Sequence, residues 1–206
     1  AEKGLTVRLV GEPPWAAPAE LLARNPAGEI PVLIDEPPTG GEIAVAPCLV
    51  IADYLEEAYG GAPILPGTSA ARAEARRVAQ WFDGKFEREV NAQIVRRRVD
   101  ERLAGRRRAD PEPYREAAER MRWHLDYLAW LLDRRHWLAG EKMSLADIAA
   151  AAHLSASDYL NAVPWSEFSS VKEWYSRMKC RPSFRPLLAD RVDGLPPSAH
   201  YDDLDF

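Results

Sequence analysis

The apolar positions change their period part-way along the chain. Over residues 1–66 they come in short runs cut by proline and glycine, "TVRLV", "IPVLIDE" and "GEIAVAP", which read as strands with helices between them. "VAPCLVIADYL", Val45 to Leu55, breaks that pattern. Leu49, Ala52 and Leu55 have helical spacing, and Pro47 stands where a helix tolerates proline, in its first turn. From "SAARAEARRVAQWFDGKF" onward the period is that of long helices. Val78, Phe82, Phe86, Val90 and Ile94 recur every four residues, and Met121, Leu125, Leu128 and Leu132 form a second core stripe. "GGAPILPGTS" lies between the halves as a linker. The pattern predicts an α/β domain over 1–62, an all-helical domain over 68–189 and a tail over 190–206.

Composition narrows the class. A chain of 206 residues, 47% hydrophobic and 29% charged, is long enough to bury a sizeable core. A formal net charge of −5 argues against a nucleic-acid partner. No apolar run has the length of a membrane span, and no signal peptide is visible, so no membrane insertion is expected. Cys48 and Cys180 make no disulfide framework, and a reducing cytoplasm is the simplest compartment. His124, His136, His153 and His200 show no metal-ligand spacing, so no metal is expected.

Two local features are more specific. "NPAGEIPVL" sets Pro31 at the start of a presumed strand, where its missing N–H does least harm. In "MSLADIAAAAHL", Ser144 precedes Asp147 by three residues ahead of an apolar run, a variant of the capping box. In this order and spacing the two motifs, with "WLAGEKMSLADIAAAA", resemble the glutathione S-transferase (GST) fold over nearly the whole chain. The resemblance implies a thioredoxin-like domain packed on a helical domain, with a cis proline at Pro31 and the family's folding motif at Ser144–Asp147.

It also implies that "AEKGLTVRLV" is the tail of the first helix running into strand 2. The family's first strand and catalytic loop would then precede Ala1, on a segment of roughly 20–25 residues by typical strand and helix lengths. In glutathione-binding members an acid and a serine open the third helix and hold the γ-glutamyl group. The matching places here are Pro47 and Cys48. The acid is gone, Pro47 removes a potential donor, and a thiol bonds more weakly than a hydroxyl. With Pro31 these residues outline a degenerate glutathione site, and no cofactor is expected. Cys48 has two readings: a nucleophile activated by the helix N-terminus, or, more commonly, a small buried apolar residue. Cys180 reads as structural.

Surface chemistry remains. "VRRRVDERLAGRRRAD" has seven arginines against three acids, either a solvated helix face and loop or a site for an acidic partner through Arg106, Arg107 and Arg108. Trp15, between prolines in "GEPPWAAPAE", either packs locally or anchors a partner. In the closing "DGLPPSAHYDDLDF", Tyr201, Leu204 and Phe206 interleave with Asp202, Asp203 and Asp205. Such an end either frays or docks on a surface.

This ending on a GST-like frame resembles the non-enzymatic bacterial cell-division factors that bind the tubulin-like GTPase FtsZ. That resemblance implies a cytoplasmic homodimer that binds and organises FtsZ filaments at the division site. It also implies a division role for His200, Tyr201, Asp203, Leu204, Asp205 and Phe206, with a second division protein as one partner of the tail. A glutathione-dependent transferase or thiol-reactive enzyme is the alternative.

Overall fold

The runs predicted as strands around Pro31 and Pro47 pair with each other. In a computed structural model describing residues 1–11, 18–37, 40–103 and 112–206, β1 (Leu33–Asp35) and β2 (Ile43–Val45) are antiparallel, with Leu33 opposite Val45 and Asp35 opposite Ile43. They belong to a first unit, Ala1–Leu65, with helices α1 (Ala19–Arg24) and α2 (Cys48–Ala58). Asp35 ties the sheet to α2. Its Oδ2 accepts bonds from the hydroxyls of Tyr54 and Tyr59, both 2.6 Å, which hold the carboxyl below the usual range and push Tyr54 up to about 12. Glu56 gathers the ends of the unit, accepting from the N–H groups of Ile64 (3.1 Å) and Leu65 (3.3 Å) and pairing with Lys3 (3.2 Å). Gly61 sits beside them at φ +99°, where a Cβ would stand 2.8 Å from the Lys3 carbonyl oxygen, so only glycine fits.

Two sequence expectations change here. "TVRLV" forms no strand: among the described residues none pairs with it, and Val7, Leu9 and Val10 are exposed. Apolar alternation alone does not make a strand when the ladder hydrogen bonds have no partner. The helix expected from Val45 begins at Cys48, because Val45 is spent on β2 and Pro47 becomes the N-cap. The N–H groups of the first turn therefore belong to Cys48, Leu49 and Val50, and proline removes none of them. The Ile30–Pro31 bond is cis, as the resemblance implies, and so is Ala46–Pro47.

The second unit, Pro66–Phe206, is helical. Helix α3 (Ser69–Gln80), capped by the Thr68 side chain, runs into a π-type stretch, Trp81–Arg96, and on into α4 (Arg97–Leu103). A row repeating every four residues drifts about 40° per step on a 3.6-residue α-helix, and the wider winding turns it back. Val78, Phe82, Phe86, Val90 and Ile94 all remain buried. They pack with Met121, Leu125, Leu128 and Leu131 of α5 (Glu112–Leu132) and with α6 (Leu145–Tyr159) in one core. Leu132 is partly buried against it. Helices α7 (Ser169–Lys179) and α8 (Arg185–Ala189) complete the unit. Among the described residues no helix is long and apolar enough to cross a membrane.

Asp147 is the polar centre of this packing. The capping box forms, and the buried carboxylate also accepts from Leu138 N–H and Trp174 Nε1, each at 3.0 Å. Burial raises its pKa against those bonds.

Candidate functional site

The last nine residues fold back onto α6 and α7. Asp158, in the last turn of α6, is a fully buried carboxylate, and Oδ1 receives Trp165 Nε1–H at 2.7 Å and lies 2.8 Å from His200 Nε2. Ser198 bonds twice beside it, N–H to the Tyr159 carbonyl (2.8 Å) and hydroxyl to the Asp158 carbonyl (2.9 Å). Tyr201 goes deepest. It is 2% exposed, its hydroxyl meets Ser155 Oγ at 2.7 Å, and its ring meets Tyr159 edge-on at 5.1 Å. Phe206 stacks on the His200 ring (5.1 Å) and meets Trp165 edge-on (5.3 Å).

Lys179 holds this arrangement from below. Its side chain is buried on the last turn of α7, and Nζ donates to the carbonyls of His200 (3.2 Å) and Asp203 and lies 4.1 Å from the Phe206 ring centre. Burial lowers its pKa, opposed by the field of Asp158, Asp203 and Asp202. The carbonyls and the ring face supply the negative potential that a desolvated ammonium needs. The tail is therefore docked. His200, Tyr201 and Phe206 fasten it, Leu204 packs against the core, and Asp203 and Asp205 are exposed. Asp202 pairs with Arg191 at 2.6 Å.

The other predicted site residues stand differently. Trp15, Arg106, Arg107 and Arg108 lie outside the described residues. Upstream of them Arg96 is exposed and pairs with Glu87 at 2.8 Å. Pro31, Pro47 and Cys48 belong to the first unit. Both cysteines are exposed, contrary to the buried reading of Cys48 and the structural reading of Cys180. Each sits at a helix end, Cys48 opening α2 and Cys180 capping α7, where fewer neighbouring residues cover a side chain than in mid-helix. The first turn of α2 has no acid and no side-chain cap.

Sequence reasoning missed the partners of two histidines. His153 on α6 lies 3.0 Å from Asp83 Oδ1 and 3.4 Å from Glu87 Oε2. Burial disfavours its charge, yet hydrogen bonds and the field of both carboxylates win and push it up to about 9. His124 on α5 is fully buried, accepts from Trp81 Nε1–H at 3.0 Å and is pushed down to about 4 by burial. Lys179 and Asp158 were missed as well. Nothing local marks a lysine that follows the apolar Trp174, Tyr175 and Met178 as one that turns inward.

Comparison with known proteins decides the family. Residues 1–58 match "Glutathione S-transferase, N-terminal domain", and residues 99–182 match "Glutathione S-transferase, C-terminal domain". The chain belongs to the glutathione S-transferase family. FtsZ-localized protein A of Caulobacter vibrioides is a GST-family relative, 46% identical over 93% of this chain and 84% of its own. The solved structure of FzlA from C. crescentus has a TM-score of 0.88 at 46% identity, covering 94% of this chain and 85% of the other. A glutathione S-transferase from Rhodospirillum rubrum F11 has a TM-score of 0.92 at 43% identity, covering 100% and 90%. GST architecture is thus shared by a relative named for FtsZ and by one named as a transferase.

Proposed function

We propose that this chain is a non-enzymatic cell-division protein that binds and organises FtsZ filaments at the division site in the cytoplasm. The observation that carries the reading is the 46% identity, over 93% of the chain, to FtsZ-localized protein A. The α2 N-terminus supports it: Pro47 and Cys48 stand where glutathione-binding members place an acid and a serine, so a γ-glutamyl ammonium finds no carboxylate there. A homodimer fits this role, because two copies of a filament-binding surface can link polymers that a monomer only coats. The docked tail suits a second division partner, with the Asp203 and Asp205 carboxylates outward. Trp15 and the arginines Arg106 to Arg108 are the proposed filament contacts, the aromatic as anchor and the cations for steering.

Light scattering of GTP-assembled FtsZ tests this. Adding the chain should raise the signal as filaments associate, and an unchanged signal with filaments shown to be present would contradict filament organisation. The second reading, a glutathione-dependent or thiol-reactive enzyme, draws on the likeness to the R. rubrum transferase and on the exposed Cys48. It requires conjugating activity that disappears in Cys48→Ser.

A further inference from the structure

The π-type stretch and the first turns of α5 enclose a cleft of about 370 Å³. The i→i+5 bonds of the wider winding bring Gln93 round above Arg88. On α5, Pro113, Glu116 and Arg120 hold positions i, i+3 and i+7 of one helical face. All five line the cleft, with Glu89 beside them. The charges there are unevenly spent. Glu89 Oε1 takes Lys85 Nζ at 2.5 Å, and Oε2 lies 3.2 Å from His124 Nε2, which carries the proton of the neutral ring because Nδ1 accepts from Trp81. Arg88 and Arg120 are both exposed. Among the described residues Arg88 has no ion pair, and Arg120 reaches only Glu116, at 3.9 Å. Two arginines from facing elements thus share one cleft with a single loosely paired acid.

We propose that this cleft seats acidic side chains of a partner protein, with Arg88 and Arg120 closing on a carboxylate from either side. The inference rests on the filament reading above, in which arginines meet the partner, and names where the partner's carboxylates settle. Two like charges in one cleft repel each other. A carboxylate between them removes that repulsion and accepts the paired N–H donors of each guanidinium. Chain order supports the site. Pro113 lines the cleft five residues after Arg108, a span of at most about 18 Å, so an acidic segment drawn to Arg106, Arg107 and Arg108 has the cleft within reach.

Pelleting with GTP-assembled FtsZ and calorimetry with a decaglutamate peptide, both on the whole chain at low salt, test this. Arg88→Ala with Arg120→Ala should weaken both interactions about tenfold with an unchanged helical spectrum. Arg115→Ala removes an arginine of the same helix that pairs with Glu112 at 3.3 Å and should change either by less than about twofold. Glu116→Gln clears the competing carboxylate and should tighten both about threefold. A folded double variant that binds decaglutamate as the parent does overturns the cleft. A parent that binds the peptide through these arginines yet stays out of the FtsZ pellet overturns the filament reading and leaves the cleft standing. A parent that binds neither overturns both. Should the double variant misfold, Glu116→Gln decides: unchanged or weaker peptide binding overturns the proposal.

Discussion

Asp158 and His200, 42 residues apart in sequence, meet at 2.8 Å where the end of α6 receives the returning tail. The contact joins a fully buried carboxylate to the segment that sequence reasoning singled out for partner binding. Within that segment His200, Tyr201 and Phe206 make the buried contacts, while Asp203 and Asp205 are exposed. His200→Ala leaves Asp158 with Trp165 Nε1–H as its remaining side-chain donor. Leaving a buried acceptor short of a partner costs about 1–3 kcal/mol. Urea unfolding should show that loss, and limited proteolysis should cut the variant's tail faster than the parent's.

Tyr201 separates hydrogen bonding from packing. Tyr201→Phe removes the hydroxyl that meets Ser155 and should cost about 1 kcal/mol. Tyr201→Ala also empties a site that is 2% exposed and should cost about 3–5 kcal/mol. Equal losses for the two, measured by urea unfolding, would show that the ring's burial contributes nothing.

Two histidines should give opposite pH limbs. His153 is held at about 9 in the fold against 6.5 unfolded, so its contribution is complete below pH 6.5 and is lost as pH rises toward 9. The span corresponds to up to about 3 kcal/mol. His124 is held at about 4, so its neutral form favours the fold above pH 6.5 and stability falls as pH drops from 6.5 toward 4. The charges in play are Asp83, Glu87 and Arg96 around His153, and Glu89, Lys85 and Arg120 around His124. His153→Gln should flatten the alkaline limb of unfolding free energy against pH and leave the acid limb in place.

Much of the frame was legible because it depends on short-range pattern. The four-residue row from Val78 to Ile94 and the Ser144–Asp147 cap announce themselves locally, and both are built as read. The π-type winding was legible only in hindsight, from a period too long for an α-helix. The histidine partners were not, since His153 and Asp83 stand 70 residues apart and carry no shared spacing. The inward turn of Lys179 depends on carbonyls that the tail brings to it, so no feature of α7 alone foretells it. The failed strand "TVRLV" shows the converse: a good local pattern is idle without a neighbour to bond.

Glutathione should not bind. With no acid at the start of α2, calorimetry at millimolar glutathione should give no saturable heat, and conjugation assays should be blank. A dissociation constant of order 0.1 mM, about −5.5 kcal/mol, would favour the enzymatic reading.

Pelleting with FtsZ tests the central claim most directly. FtsZ assembled with GTP should carry the chain into the pellet at low salt. Without GTP the chain should stay in solution, and binding should weaken as added salt shortens the screening length from about 10 Å toward 3 Å. A chain that remains in the supernatant beside fully sedimented FtsZ, at low salt and micromolar concentration, would contradict the account.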